Sequence, residues 1–169
     1  MRHIIAILLQ NEAGALTRVA GLFSTRGYNI ESLSVAPTDD PTVSRLTLVT
    51  TGSDAVMQQI GNQLNKLIDV VRVEDMTRGE HVERELALVK LKVRAEHAEG
   101  LRAFVAGKGG RVLDPALDGF IVELTASEAE IHSFIGELNS RGQLLEIARS
   151  GAIGLTRSSL GLQVLTPER

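Results

Sequence analysis

The chain has 169 residues, 43% of them hydrophobic, with no cysteine, one tyrosine and four phenylalanines. That length holds one ordinary domain or two small ones, and the lack of thiols excludes disulfides and thiolate metal sites and fits a cytoplasmic setting. A formal charge of -3 and the scarcity of rings argue against a nucleic-acid partner, which needs clustered Lys and Arg.

The first element is the apolar run HIIAILLQ, His3 to Gln10. Its uninterrupted part, Ile4 to Leu9, is too short to cross a bilayer and is followed by Gln10, Asn11 and Glu12 rather than a small-residue cleavage site. It reads as a strand, with no membrane segment and no signal peptide. Leu16, Val19, Ala20 and Phe23 then form a helical stripe, and Gly27 is placed to end that helix. Gly14, between Ala13 and Ala15, leaves the helix start sterically open, where N–H groups can hold a carboxylate. Gly14 equally permits a tight strand-to-helix turn, and spacing alone favours the turn. Asn29 opens the second strand. Asp39 and Asp40 in APTDDPT lie between two strand patterns and are flanked by prolines, which predicts an exposed hairpin turn.

From Leu46 the chain repeats itself: LTLVTTGSDAVMQQIGNQLNKL aligns without a gap on FIVELTASEAEIHSFIGELNSR, 74 residues later. Each copy reads as a half-buried strand, a Ser at a helix N-cap (Ser53, Ser127) and apolar residues at helical spacing, Val56, Ile60, Leu64 and Ile131, Ile135, Leu138. Ser127 with Glu130 makes a capping box. More loosely, HIIAILLQ is echoed by LALVKLKV (Leu86 to Val93), NIESLSVAP by GRVLDPAL, and VVRVEDM by LLEIARSG. The order strand, helix, strand, strand, helix, strand occurs twice. It predicts an α+β chain of two tandem ferredoxin-like βαββαβ domains, residues 1–78 and 79–169, each an antiparallel sheet in order 4-1-3-2 with both helices on one face.

The boundary falls in TRGEHVERE, Thr77 to Glu85, read as a short charged linker. The first helix of the second copy, about His97 to Gly107, ends in GKGGR, a helix C-cap and turn that lacks the spacing of a phosphate loop. The tail GLTRSSLGLQVLTPER has weak periodicity and is expected to be partly mobile.

No catalytic constellation emerges. His81 and Glu83 form an H-x-E fragment without the P-C-x-x-C that zinc deaminases need. His3, His97 and His132 lie on three different elements with no Ser or carboxylate at informative spacing. Asn11 and Asn29 sit at opposite ends of the first helix, roughly 20 Å apart, so one chain cannot close both around a small ligand. Two chains packed antiparallel along this helix and the edge strand Asn29 to Pro37 bring Asn11 of one to Asn29 of the other, twice per dimer, and cover a sheet edge.

The stretch NEAGALTRVAGLFSTRGYNIESLSVAPTDDPTVSRLTLVT resembles the N-terminal ACT domain of acetolactate synthase (acetohydroxyacid synthase) small, regulatory subunits. The likeness continues through QLNKLIDVVRV, HVERELALVK and ARSGAIGLTRS, while EHAEGLRAFVAGKGGRVLDPAL keeps the layout and matches more loosely. The resemblance implies a homodimeric, non-catalytic subunit that binds a large catalytic subunit, raises its activity and confers feedback inhibition by valine in valine, leucine and isoleucine biosynthesis. It implies that thiamine diphosphate, FAD and Mg belong to the catalytic subunit, and the G-D-G start of a thiamine-diphosphate motif is indeed missing from this chain. It places the effector between Asn11, Ala13, Gly14, Ala15 and Leu16 of one chain and Tyr28, Asn29 and Ile30 of its partner. Those residue types suit a zwitterion: N–H donors for the carboxylate, amide oxygens for the ammonium, and Leu16 and Ile30 as a small apolar pocket.

The alternative is a stand-alone amino-acid-binding ACT regulator of another enzyme. RNA-recognition modules share the topology but stack bases on sheet aromatics, where these strands carry Ile, Leu, Val and Thr. An acylphosphatase-like hydrolase needs an Arg and an Asn at a phosphate loop, for which the chain has no motif, and fold alone does not license that activity.

Overall fold

The computed structural model describes residues 1–159 and 161–163. In chain order its elements are β1 (Arg2–Gln10), α1 (Ala15–Thr25), β2 (Ile30–Pro37), β3 (Val43–Thr51), α2 (Asp54–Leu64), β4 (Val70–Asp75), β5 (His81–Lys92), α3 (Ala95–Gly107), β6 (Arg111–Asp114), β7 (Phe120–Ala126), α4 (Glu128–Asn139), β8 (Gln143–Arg149) and β9 (Ile153–Thr156). They form two compact units: Met1–Val82 with the chain from Ile153, and Glu83–Ala152.

The first unit has the strand order β2-β3-β1-β4, all antiparallel, which is the expected 4-1-3-2 arrangement. Alternation along β1 turns Ile5, Ile7 and Leu9 to the helices, where they pack with Leu46, Leu48, Val19, Phe23, Ile60 and Leu64. The buried stripe of α1 is Ala15, Val19, Leu22 and Phe23, displaced from the stripe expected in sequence, and Leu16 lies on the outer side. Both stripes have helical spacing, and packing against the sheet selects the one that buries Ala15 and Leu22. In α2 Met57 is buried where Val56 was expected, and Val56 packs partly against the same core.

The second unit repeats the plan as β6-β7-β5-β8. Its core joins Val89 and Leu91 of β5 to Phe120 and Val122 of β7, Leu101 and Val105 of α3, and Ile131, Phe134 and Leu138 of α4. Phe104 stacks on Phe134 with centroids 5.6 Å apart. The capping box at Ser127 and Glu130 is present. In GKGGR, Gly109 takes φ +78°, and a Cβ on Gly110 would lie 2.7 Å from the Glu123 carbonyl oxygen, so the run is the turn its sequence predicts. Asp40 likewise forms a hairpin turn, its Oδ1 accepting from the Thr42 N–H at 2.9 Å and hydroxyl at 2.7 Å.

Two expectations are corrected. The charged stretch HVERE is not a linker but the start of β5. Its alternation is disguised because an inward position holds Glu85, 4% exposed, which accepts two hydrogen bonds from Arg149 at 2.9 and 2.6 Å. A buried charge with such a partner occupies a core position that pattern reading assigns to an apolar side chain.

The tail, expected to be partly mobile and to belong with residues 79–169, opens with strand β9, which pairs with β5. A Cβ on Gly154 would lie 3.1 Å from Met76 Cε and 3.4 Å from Ile4 Cδ1, so glycine is what allows this close approach. The Gly154 carbonyl accepts from Arg45 Nη2 at 2.8 Å, and the Arg157 N–H donates to the Glu80 carbonyl at 2.8 Å. The chain from Ile153 therefore groups with Met1–Val82 rather than with Glu83–Ala152. The rest of the mobility expectation, at Leu160 and 164–169, lies outside the described residues.

Candidate functional site

The corner where β1 hands over to α1 is built from backbone. The Asn11 N–H donates to the Thr42 carbonyl at 2.7 Å and Asn11 Nδ2 to the Pro41 carbonyl at 2.9 Å, which ties the loop to the β2–β3 hairpin. Glu12 N–H turns back to the Gln10 carbonyl at 2.9 Å, and Gly14 at φ +88° starts the helix, whose first bond runs from the Arg18 N–H to the Gly14 carbonyl. No side chain caps α1. Apart from the Ala15 N–H, which the Glu12 carbonyl accepts, the N–H groups of its first turn, those of Leu16 and Thr17, are open to an outside acceptor, backed by the positive end of the helix dipole.

Beneath this loop lies an ion pair that pattern reading does not find. Arg18 Nη2 donates to Asp69 Oδ1 at 2.8 Å and its Nε to Asp69 Oδ2, while Asp69 is 3% exposed and its own carbonyl accepts the Gln10 N–H at 2.8 Å. The hydrogen bond raises the Arg18 guanidinium above its ordinary value and holds the Asp69 carboxyl below the usual carboxylate range. The pair fastens the first turn of α1 to the residue leading into β4. The one signal for it in the sequence is an acid set inside the apolar run LIDVV.

Asn11, Ala13, Gly14, Ala15 and Leu16 come together at this corner. Asn11, Ala13, Gly14 and Leu16 are exposed. Ala15 is turned inward at 1% exposure, and its N–H is taken by the Glu12 carbonyl at 3.2 Å. Tyr28, Asn29 and Ile30 form a separate group after α1, where Gly27 at φ +69° ends the helix and the Asn29 carbonyl accepts from Thr50 Oγ1 at 2.6 Å. Tyr28 and Ile30 pack partly on the core, and Asn29 is exposed.

Register sets the distance between the groups. Gln10 pairs with Val43 and Ile30 with Thr50, seven residues along β3, or about 23 Å. Within one chain the eight residues are thus two half-sites at opposite ends of the sheet. The histidines also stay apart: His3 is buried with Nε2 3.1 Å from the Gly52 carbonyl oxygen, while His97 and His132 are exposed on α3 and α4. An open concavity of about 620 Å³ beside His3 holds Asp54, Asp75 and Arg78, but Arg78 already pairs with Asp54. Among the described residues no helix is long and apolar enough to cross a membrane.

Fold and corner together define an ACT-type protein. Residues 5–72 match the family model of the acetohydroxyacid synthase (AHAS) small subunit-like ACT domain, and residues 84–158 match that of the small subunit of acetolactate synthase. The chain is 46% identical to the acetolactate synthase isozyme 3 small subunit of Salmonella typhimurium over 157 residues, covering 93% of this chain and 96% of the relative. It is 40% identical to a probable acetolactate synthase small subunit of Archaeoglobus fulgidus over 163 residues, covering 94% and 99%. The crystal structure of the acetolactate synthase small subunit from Thermotoga maritima superimposes with a TM-score of 0.85 at 32% identity, covering 95% of this chain and 99% of that one. The chain belongs to the acetolactate synthase small-subunit family.

Proposed function

We propose that this chain is the regulatory subunit of an acetolactate synthase, that it activates a thiamine-diphosphate-dependent catalytic subunit, and that it confers feedback inhibition by valine. The observation that carries the reading is the family match across both units, with relatives covered nearly end to end. The first unit is the effector-binding and dimerising ACT domain. Its β2 is an edge strand of the sheet, and antiparallel pairing of two chains along β2 and α1 covers that edge. Such a pair also brings the two half-sites together, twice per dimer. The uncapped start of α1 and the exposed Asn11 supply donors for a carboxylate; Asn29 of the second chain supplies an acceptor for the ammonium; Leu16 and Ile30 bound the side chain.

The test is calorimetric titration of the purified chain with valine, leucine and isoleucine, followed by reconstitution with a catalytic subunit. Saturable valine binding, activation on mixing and valine-sensitive activity are the expected results. Gly14→Asp sets an anion where the carboxylate belongs and is expected to abolish inhibition while leaving activation. Any side chain at φ +88° strains the turn, and a Cβ here would lie 3.0 Å from Arg18 Nη1. Gly14→Ala carries that strain without the charge and is expected to weaken inhibition less. Full valine inhibition in the Gly14→Asp enzyme would overturn the site.

A further inference from the structure

Because the two units share one topology, each has a corner formed by the end of its first strand, the start of its first helix and the turn leaving its second helix. In the first unit Arg18 and Asp69 close that corner on themselves. In the second unit the fourth residue of α3 is Ala98, where α1 has Arg18, and the residue 74 positions after Asp69 is Gln143. The ion pair is gone, and a cavity of about 430 Å³ opens there, within the size range that small ligands occupy.

Among the described residues, the ionisable ones lining this cavity are Lys92, Arg94, His97 and Arg141, with no carboxylate. Arg94 is also the N-cap of the thirteen-residue α3, which has no side-chain cap, so the helix adds open N–H groups and the positive end of its dipole. Arg141 is held in place: its Nη1 donates to the Glu137 carbonyl at 2.9 Å, and its guanidinium sits 3.9 Å from the Phe104 ring centroid. A planar cation fixed in this way needs little ordering to bind an anion.

Opposing groups are already satisfied or distant. The carbonyl end of α4 would repel an anion, but the Leu138 carbonyl accepts the N–H groups of Arg141 and Gly142, and that of Glu137 accepts Arg141 and the Ser140 hydroxyl. The Glu137 carboxylate pairs with Lys108. Asp118 reaches Lys92 at 3.4 Å while 88% exposed, and Glu96 comes no nearer to Arg94 than 4.0 Å; pairs as exposed as these hold a cation weakly.

We propose that this corner of the second unit binds a small anion carrying two or more negative charges, of the phosphate or polycarboxylate type. An amino acid suits the corner less well, because its ammonium group would be repelled by Lys92, Arg94 and Arg141 while its single carboxylate answers only one of them. The site stands apart from the effector corner of the first unit and does not depend on it.

Calorimetric titration of the whole chain with pyrophosphate, and separately with citrate, tests this. Saturable binding of at least one anion is expected, weakening as ionic strength rises, and the arm that binds assigns the chemical class. The double variant Lys92→Gln/Arg94→Gln alters two exposed side chains outside the core and is expected to lower the affinity about tenfold. Gly14→Asp, in the other unit, is expected to leave it unchanged. Failure of both anions to bind saturably, or equal binding by the double variant, overturns the proposal.

Discussion

At one corner of the first unit a guanidinium and a carboxylate neutralise each other under a backbone loop, whereas at the same corner of the second unit four basic side chains surround an open cavity. The topology decides where the corner lies, and a few side chains decide whether it is closed or open and what charge it presents. The cores differ in a similar way. The first is aliphatic around Phe23, while the second holds Phe120 and the stacked pair Phe104 and Phe134.

The largest effect tests the core contrast. Phe134 is 1% exposed, and Phe134→Ala is expected to cost about 3–5 kcal/mol in urea denaturation; a loss under about 1 kcal/mol would break the view that the second core rests on this ring pair. Next comes the corner contrast, read through pH. The folded Asp69 value is lowered by Arg18, so its contribution is present above the unfolded value of about 4 and is lost as pH falls through the folded value. Asp69→Asn is therefore expected to flatten the loss of stability below about pH 4, and Gln143→Ala, at the matching position, to leave it as in the parent chain. Urea midpoints between neutral and acid pH decide, and identical acid limbs for Asp69→Asn and the parent would sink the idea.

The smallest effect concerns the paired caps. Ser127 belongs to a reciprocal box, but Ser53 has only the Val56 N–H at 3.4 Å. Ser127→Ala is expected to cost about 1 kcal/mol and Ser53→Ala about 0.5 kcal/mol. The reverse order would show that the box adds nothing to the second unit.

Much of this was legible from local rules. The repeat, both Ser caps, the Asp40 turn and the GKGGR turn are short-range features, and each stands in the structure where its residues predict. The left-handed turn at Gly14 is as its spacing predicts, but the buried face of α1 is not, because Leu16 and Leu22 both sit at helical spacing and only packing against the sheet chooses Leu22. HVERE does not look like a strand in sequence because Glu85, at an inward position, is buried against a residue 64 positions away. Of the candidate site, the list of residues came from the family resemblance, its division into two half-sites followed from the expected topology, and the register along β3 agrees with that separation.

What the sequence by itself determined was the order of elements, the doubling of the domain and the helix ends, because periodicity and capping are set by residues within a turn or two of each other. Tertiary structure alone decided that Arg18 meets Asp69 across 51 positions, that Glu85 is buried with Arg149, and that β9 returns to the first unit. Those contacts depend on which strands the fold makes neighbours, and no local pattern in the chain encodes that adjacency.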